Sequence, residues 1–137
     1  MLAMEQLALM LEQAGLGRRG ETIFVHFMPA EVGSGIVLLD SLSGREIDYA
    51  GLPELRRFEF QAIIRDPKPL SARLKAQSVI DAITMLPAWR EIPAINRDIP
   101  AARVLYIRPR HAPIIYPRAD AGDGYEASVN FDAAGAE

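Results

Sequence analysis

From Arg57 to Asp66 the chain sets Phe58, Phe60, Ala62 and Ile64 on one side of an extended backbone and Arg57, Glu59, Gln61 and Arg65 on the other. A period of two over this length selects a half-buried strand rather than a helix. The sequence Asp66-Pro67-Lys68-Pro69 stops it, because proline has no amide to give to a ladder. The period then changes. Ala72, Ala76, Val79, Ile80, Ile83 and Leu86 recur at helical spacing over about 70–86, with Arg73, Lys75, Gln77, Asp81 and Thr84 off the stripe. Asp66 or Ser71 is placed to cap the start of this helix, and Pro87 ends it.

Two earlier strand signals lead into this unit. Thr22–Phe27 alternates, with Ile23, Val25 and Phe27 on one face and Thr22, Phe24 and His26 on the other. Ile36–Leu39 is apolar on both faces, which predicts cover from both sides, by a helix and by something else, a neighbouring subunit being one option. An amphipathic segment over about 2–14 comes first, with Leu7, Met10, Leu11 and Ala14 on its apolar stripe and Gly15-Leu16-Gly17 as its stop. The fold class that follows is α+β: a mixed, mainly antiparallel β-sheet packed against two α-helices.

Five prolines punctuate the last third, at 93, 100, 109, 113 and 117. Short strand signals stand between them at Arg103–Ile107 and Pro113–Tyr116, with a further one at Tyr125–Phe131. Asp120–Gly124 reads as a turn. The loop from Ser41 to Pro53 reads as irregular, and a loop of that length in a small domain is often functional. The 137 residues suit a single α+β domain over 1–137, with about 133–137 a frayed acidic tail. Trp89, just behind Pro87, reads as a core lid over the helix end, though tryptophan is also a common interface anchor.

Composition narrows the function. Cysteine is absent, which excludes a disulfide framework and thiolate metal ligands. The first residues include Glu5 and no basic cluster, unlike a secretory signal, and no apolar run reaches membrane-spanning length. The expectation is a soluble protein, intracellular when made. The net charge of −3 argues against general nucleic-acid binding. Its distribution is uneven. Residues 1–53 hold three bases and seven acids, residues 54–118 twelve bases and six acids, and residues 119–137 five acids and no base. Blocks of opposite sign can meet within one chain or between copies, or simply face water.

No constellation of catalytic residues stands out. His26 and His111 have no carboxylate at ligand spacing. Gly33-Ser34-Gly35 precedes a strand, whereas a phosphate cradle needs a helix after its glycines. Asp40, Glu46 and Asp48 lie where nothing would desolvate one of them. Arg108-Pro109-Arg110-His111, with Arg103 and Arg118, is basic, but Tyr106 and Tyr116 are too few for a base-stacking platform; a protein contact or a solvated strand edge fits better. No catalytic, cofactor-binding or metal-binding residue is assigned, and no cofactor is expected.

The order of these segments resembles that of the tail terminator, or tail completion, proteins of long-tailed bacteriophages, also labelled minor capsid proteins. The likeness runs from the Leu7–Leu11 helix through Ile23–Phe27 with Met28-Pro29, Ile36–Asp40 and Phe58–Asp66 to the helix Ala72–Leu86 and the late strand Ala127–Phe131. It covers most of residues 5–132. The resemblance implies a virion structural protein of the tail and neck, made in the host cytoplasm. It implies a homo-oligomeric ring, usually a hexamer, on the head-proximal end of the tail tube. Its partners would be the tail tube protein and the head connector, with DNA passing the lumen unread and no membrane involved. The sheet strands and the Ser41–Pro53 loop would supply subunit or tube contacts. The alternatives are another neck or head-closure component, or a small α+β ligand-binding domain or enzyme with a pocket between the second helix and the sheet.

Overall fold

The computed structural model describes residues 2–41, 46–47, 55–118 and 123–136. Helix α1 (Met4–Gln13) is followed by strands β1 (Ile23–Val25), β2 (Gly35–Asp40), β3 (Glu46–Ile47) and β4 (Leu55–Asp66). Helix α2 (Pro69–Ile83) precedes β5 (Arg90–Ile92), β6 (Ala102–Pro109), β7 (Ile114–Pro117) and β8 (Tyr125–Ala136). Among the described residues the strands make one sheet in the order β1-β2-β4-β8-β6-β5; β3 pairs with β4, and β7 with β8. All pairings are antiparallel except β1 with β2, which is parallel. The α+β class, with a mixed and mainly antiparallel sheet and two helices, is the one expected.

The period-two pattern of β4 sorts the sheet's faces. Phe58, Phe60, Ala62 and Ile64 are buried and meet Ala133, Phe131, Val129 and Ala127 of β8 across the ladder. Phe60 and Phe131 stack with ring centroids 4.9 Å apart. Both helices pack on this face. Ala72, Ala76, Val79, Ile80 and Ile83 of α2 are buried as the spacing predicts, and α1 buries Met4, Leu7, Ala8 and Leu11. Its stripe does not continue to Ala14, which is exposed beyond the last turn. Gly15, at φ +81°, ends α1, and the Leu16 amide donates back to Leu11 O at 3.0 Å.

One polar side chain ties this layer together. Gln6 is 1% exposed. Its Oε1 accepts the Ala3 amide at 2.9 Å, and its Nε2 donates to Pro93 O at 3.1 Å and Pro100 O at 3.0 Å. The first turn of α1 is thereby fixed to the proline-rich segment beyond β5, the opposite edge strand.

The start of α2 rests on Asp66. Its Oδ1 accepts the Lys68 amide at 3.0 Å, and its Oδ2 lies 2.6 Å from Lys75 Nζ. Burial pushes this carboxyl up, but the bonds from Lys75, Lys68 and Ser71 outweigh it and hold it below the usual carboxylate range.

Several expectations need correction. The first strand stops at Val25 because His26 turns to φ +68°, so Phe27 points outward at 72% exposure. Helix α2 ends at Ile83, Thr84 is extended, and Met85 exchanges hydrogen bonds with Ile107, so Leu86 is exposed rather than buried. Trp89 is not a core lid; it is half exposed beneath the Arg103 guanidinium. Val37, on the second face of β2, is buried within this one chain, and its neighbour Gly35 packs against Met28 and Val32. At Gly35 the loop before β2 supplies cover on that face.

The tail does not fray through Ala136. Ala133 and Ala134 are buried between β4 and β6, and a Cβ at Gly135 would sit 2.6 Å from Arg103 O. Small residues here are a packing requirement. Of the Ser41–Pro53 loop, Glu46 and Ile47 pair with Arg57 and Arg56, which makes it less irregular than expected. Residues 42–45 and 48–53 lie outside the described residues, as do 120–122 of the expected turn.

Candidate assembly surfaces

The loop from His26 to Ser34 is held from beneath. Arg65 Nη1 donates to Pro29 O at 2.9 Å and to Val32 O at 3.4 Å, and Arg118 Nη2 donates to Ala30 O at 2.8 Å. Arg65 is itself fixed by Glu126, 2.9 Å from its Nε. The buried Met28 anchors the loop beside Gly35. A non-glycine residue at positive φ costs about 1–2 kcal/mol. Here that strain coincides with an aromatic ring presented to solvent, Phe27.

Beyond the edge of β1 the backbone is partly capped. Ile23 N donates to Arg18 O at 3.0 Å, and Gly20 N to Ile23 O at 2.9 Å. The chain's own turn thus occupies hydrogen-bonding groups that another strand would need.

At the other edge the segment after α2 lies along β6. Met85 bonds Ile107 in both directions, and Ala88 N donates to Leu105 O at 3.0 Å. These bonds fix Leu86, Pro87, Ala88 and Trp89, four consecutive apolar residues that are all exposed. Such a run is unfavourable on a free surface unless something covers it. Leu70 and Leu74, one turn apart on α2, form a separate exposed pair.

The face of the sheet away from the helices carries paired charge. Arg110 lies 3.1 Å from Glu59 and 3.5 Å from Asp132, and Arg108 stacks over Tyr106. Burial and the nearby Glu126 push the Tyr116 hydroxyl's pKa up. His111 completes the ladder where β6 gives way to β7 along β8. Its Nδ1 faces Ala112 O at 2.7 Å, which leaves Nε2 to accept the Asn130 amide at 3.2 Å. The basic cluster of 108–111 is therefore built into the sheet through Glu59, Asp132 and Asn130.

The other singled-out residues do not converge. His26 and His111 serve backbone geometry at separate places. Gly33-Ser34-Gly35 leads into β2, and Ser34 Oγ accepts from Lys75 Nζ at 2.7 Å. Asp40 ends β2; Asp48 lies outside the described residues, and so does the Glu46 side chain. An open groove of about 380 Å³ lies between the turn after α1, the start of β2 and Lys75 of α2, lined by Gly15, Gly17, Thr22, Ile36 and Lys75 among others. Its main charged group, Lys75, is engaged by Asp66 and Ser34, and Thr22 Oγ1 accepts the Arg18 amide. Among the described residues no helix is long and apolar enough to cross a membrane.

Sequence reasoning missed both exposed apolar features. Phe27 continues the alternation of a strand, and Leu86 continues the period of a helix. Only the turn at His26 and the end of α2 at Ile83 reveal them.

Comparison with known proteins places the chain. A family model described as "Bacteriophage tail terminator protein" matches residues 10–136. A chain from a structure titled "Virion of native gene transfer agent (GTA) particle" shares the fold, with a TM-score of 0.50 and 15% identity over 98% of this chain and 91% of that one. A search of curated proteins finds no match.

Proposed function

Because the chain belongs to the bacteriophage tail terminator family, and so is a structural protein of the phage tail, we propose that it caps the tail tube. Copies assemble head to tail into a ring, six in number, on the head-proximal end of the tube. The ring stops further polymerisation and offers its far surface to the head connector. The observation that carries this reading is the family match across residues 10–136. The fold supports it: the sheet's two edges bear different exposed features, as a cyclic, heterologous interface requires. The overall charge of −3 suits a lumen that lets DNA slide past, since adhesion to phosphates needs clustered positive charge.

The test is electron microscopy of tails assembled with and without the protein. Its omission is expected to give overlong tubes that fail to join heads, and its restoration to give tubes of uniform length. Tubes of normal length without the protein would refute capping. Strong retention of duplex DNA at physiological salt would refute the passive lumen.

A further inference from the structure

Resting on that reading, we infer that Phe27 of one copy seats on the Leu86–Trp89 run of the next copy, and that this contact closes the ring. The two features lie on opposite edges of one sheet, Phe27 just past β1 and the run beside β5 and β6. A head-to-tail interface needs two different patches arranged so. Each is rigid before contact. The Phe27 loop is held by Arg65 and Arg118, and the run by Met85 and Ala88 bonding β6. Fixing both sides in advance lowers the ordering cost of association.

The chemistry matches. Phe27 is 72% exposed and Leu86 74%, and phenylalanine and tryptophan are enriched at the buried centres of protein interfaces. Charge agrees as well. Glu31 is the only charged residue of the 27–34 loop, whereas the run is bordered by Arg90, Glu91 and Arg103, one base in excess. Strand-to-strand addition at β1 is disfavoured by the Arg18–Gly20 turn, so contact falls to the projecting side chain. The occupant of the run is therefore a second copy of this chain.

The chain has no cysteine, so introduced thiols are unique. Purified Phe27→Cys carrying an affinity tag is mixed with untagged Leu86→Cys at high concentration under mild oxidation. The expected result is a tagged–untagged disulfide dimer, and a ladder of higher species from the double variant. Ser78→Cys, exposed on α2, is the control partner and should cross-link far less. Three results overturn the inference: no dimer, a Phe27→Cys dimer formed equally well with itself, or equal cross-linking to Ser78→Cys. The terminator reading fails separately. Tubes that stay overlong with the protein present sink that reading, whereas normal capping without the Phe27–Leu86 cross-link sinks only this interface.

Discussion

Replacing Gln6 by leucine tests how the first helix is fixed to the rest of the chain. The amide makes three hydrogen bonds, to the Ala3 amide and to the carbonyls of Pro93 and Pro100, from a site that is 1% exposed. Leucine keeps most of the volume and removes all three. A net hydrogen bond contributes about 1 kcal/mol, and stranding a buried partner costs about 1–3 kcal/mol. The proline carbonyls are only partly buried and regain some water, while leucine gains apolar burial. The expected loss is therefore about 2–3 kcal/mol. Urea unfolding followed by the single tryptophan, Trp89, reads it as a lower midpoint at unchanged slope. Glutamate at the same position sharpens the test. An ionised carboxylate would face two carbonyl oxygens, so folding raises its pKa and the native state binds more protons than the unfolded one. Stability of Gln6→Glu should then rise as pH falls toward the carboxylate range, opposite to the trend set by Asp66. A Gln6→Leu variant within about 0.5 kcal/mol of the parent, the range of an ordinary surface change, would refute this account.

Three further outcomes follow from the packing. The Asp66 carboxyl is held low by its partners, so its contribution is complete above the usual carboxylate range and is lost as pH falls through the depressed value; Lys75→Met should cost about 1–2 kcal/mol at neutral pH and flatten the acid limb of a stability-versus-pH curve. Gly135→Ala forces a methyl group against Arg103 O and should cost about 2–3 kcal/mol by denaturant titration, whereas the same change at Gly33, which has open space, should cost far less. His111→Ala removes the acceptor for the Asn130 amide; hydrogen exchange at that amide should accelerate while exchange at Val129 and Phe131 stays slow, and uniform acceleration would count against a local role.

Long, regular elements were legible in the sequence. The alternation of β4 and the stripe of α2 follow from burial on one face, and Ala72 to Ile83 are buried as read. Elements set by distant partners were not. Strands β3 and β5, of two and three residues, are too short to show a period. The parallel pairing of β1 with β2 depends on a return path through Met28 that no local pattern announces. The last turns of β8 read as a tail because alanine and glycine carry little strand preference; their smallness answers to β4 and β6 on either side. The same limit hid the candidate surface. Phe27 and Leu86 keep the period of the element before them, and it is the element's end, fixed by tertiary contacts, that turns them outward.

Strand β8 lies at the centre of the sheet, joined to β4 along its whole length and to β6 and β7 on its other side. Without this strand β4 and β6 have no common neighbour, and the apolar face that Phe131 completes is left open. Removing β8 would therefore open the core itself rather than trim an edge of the sheet.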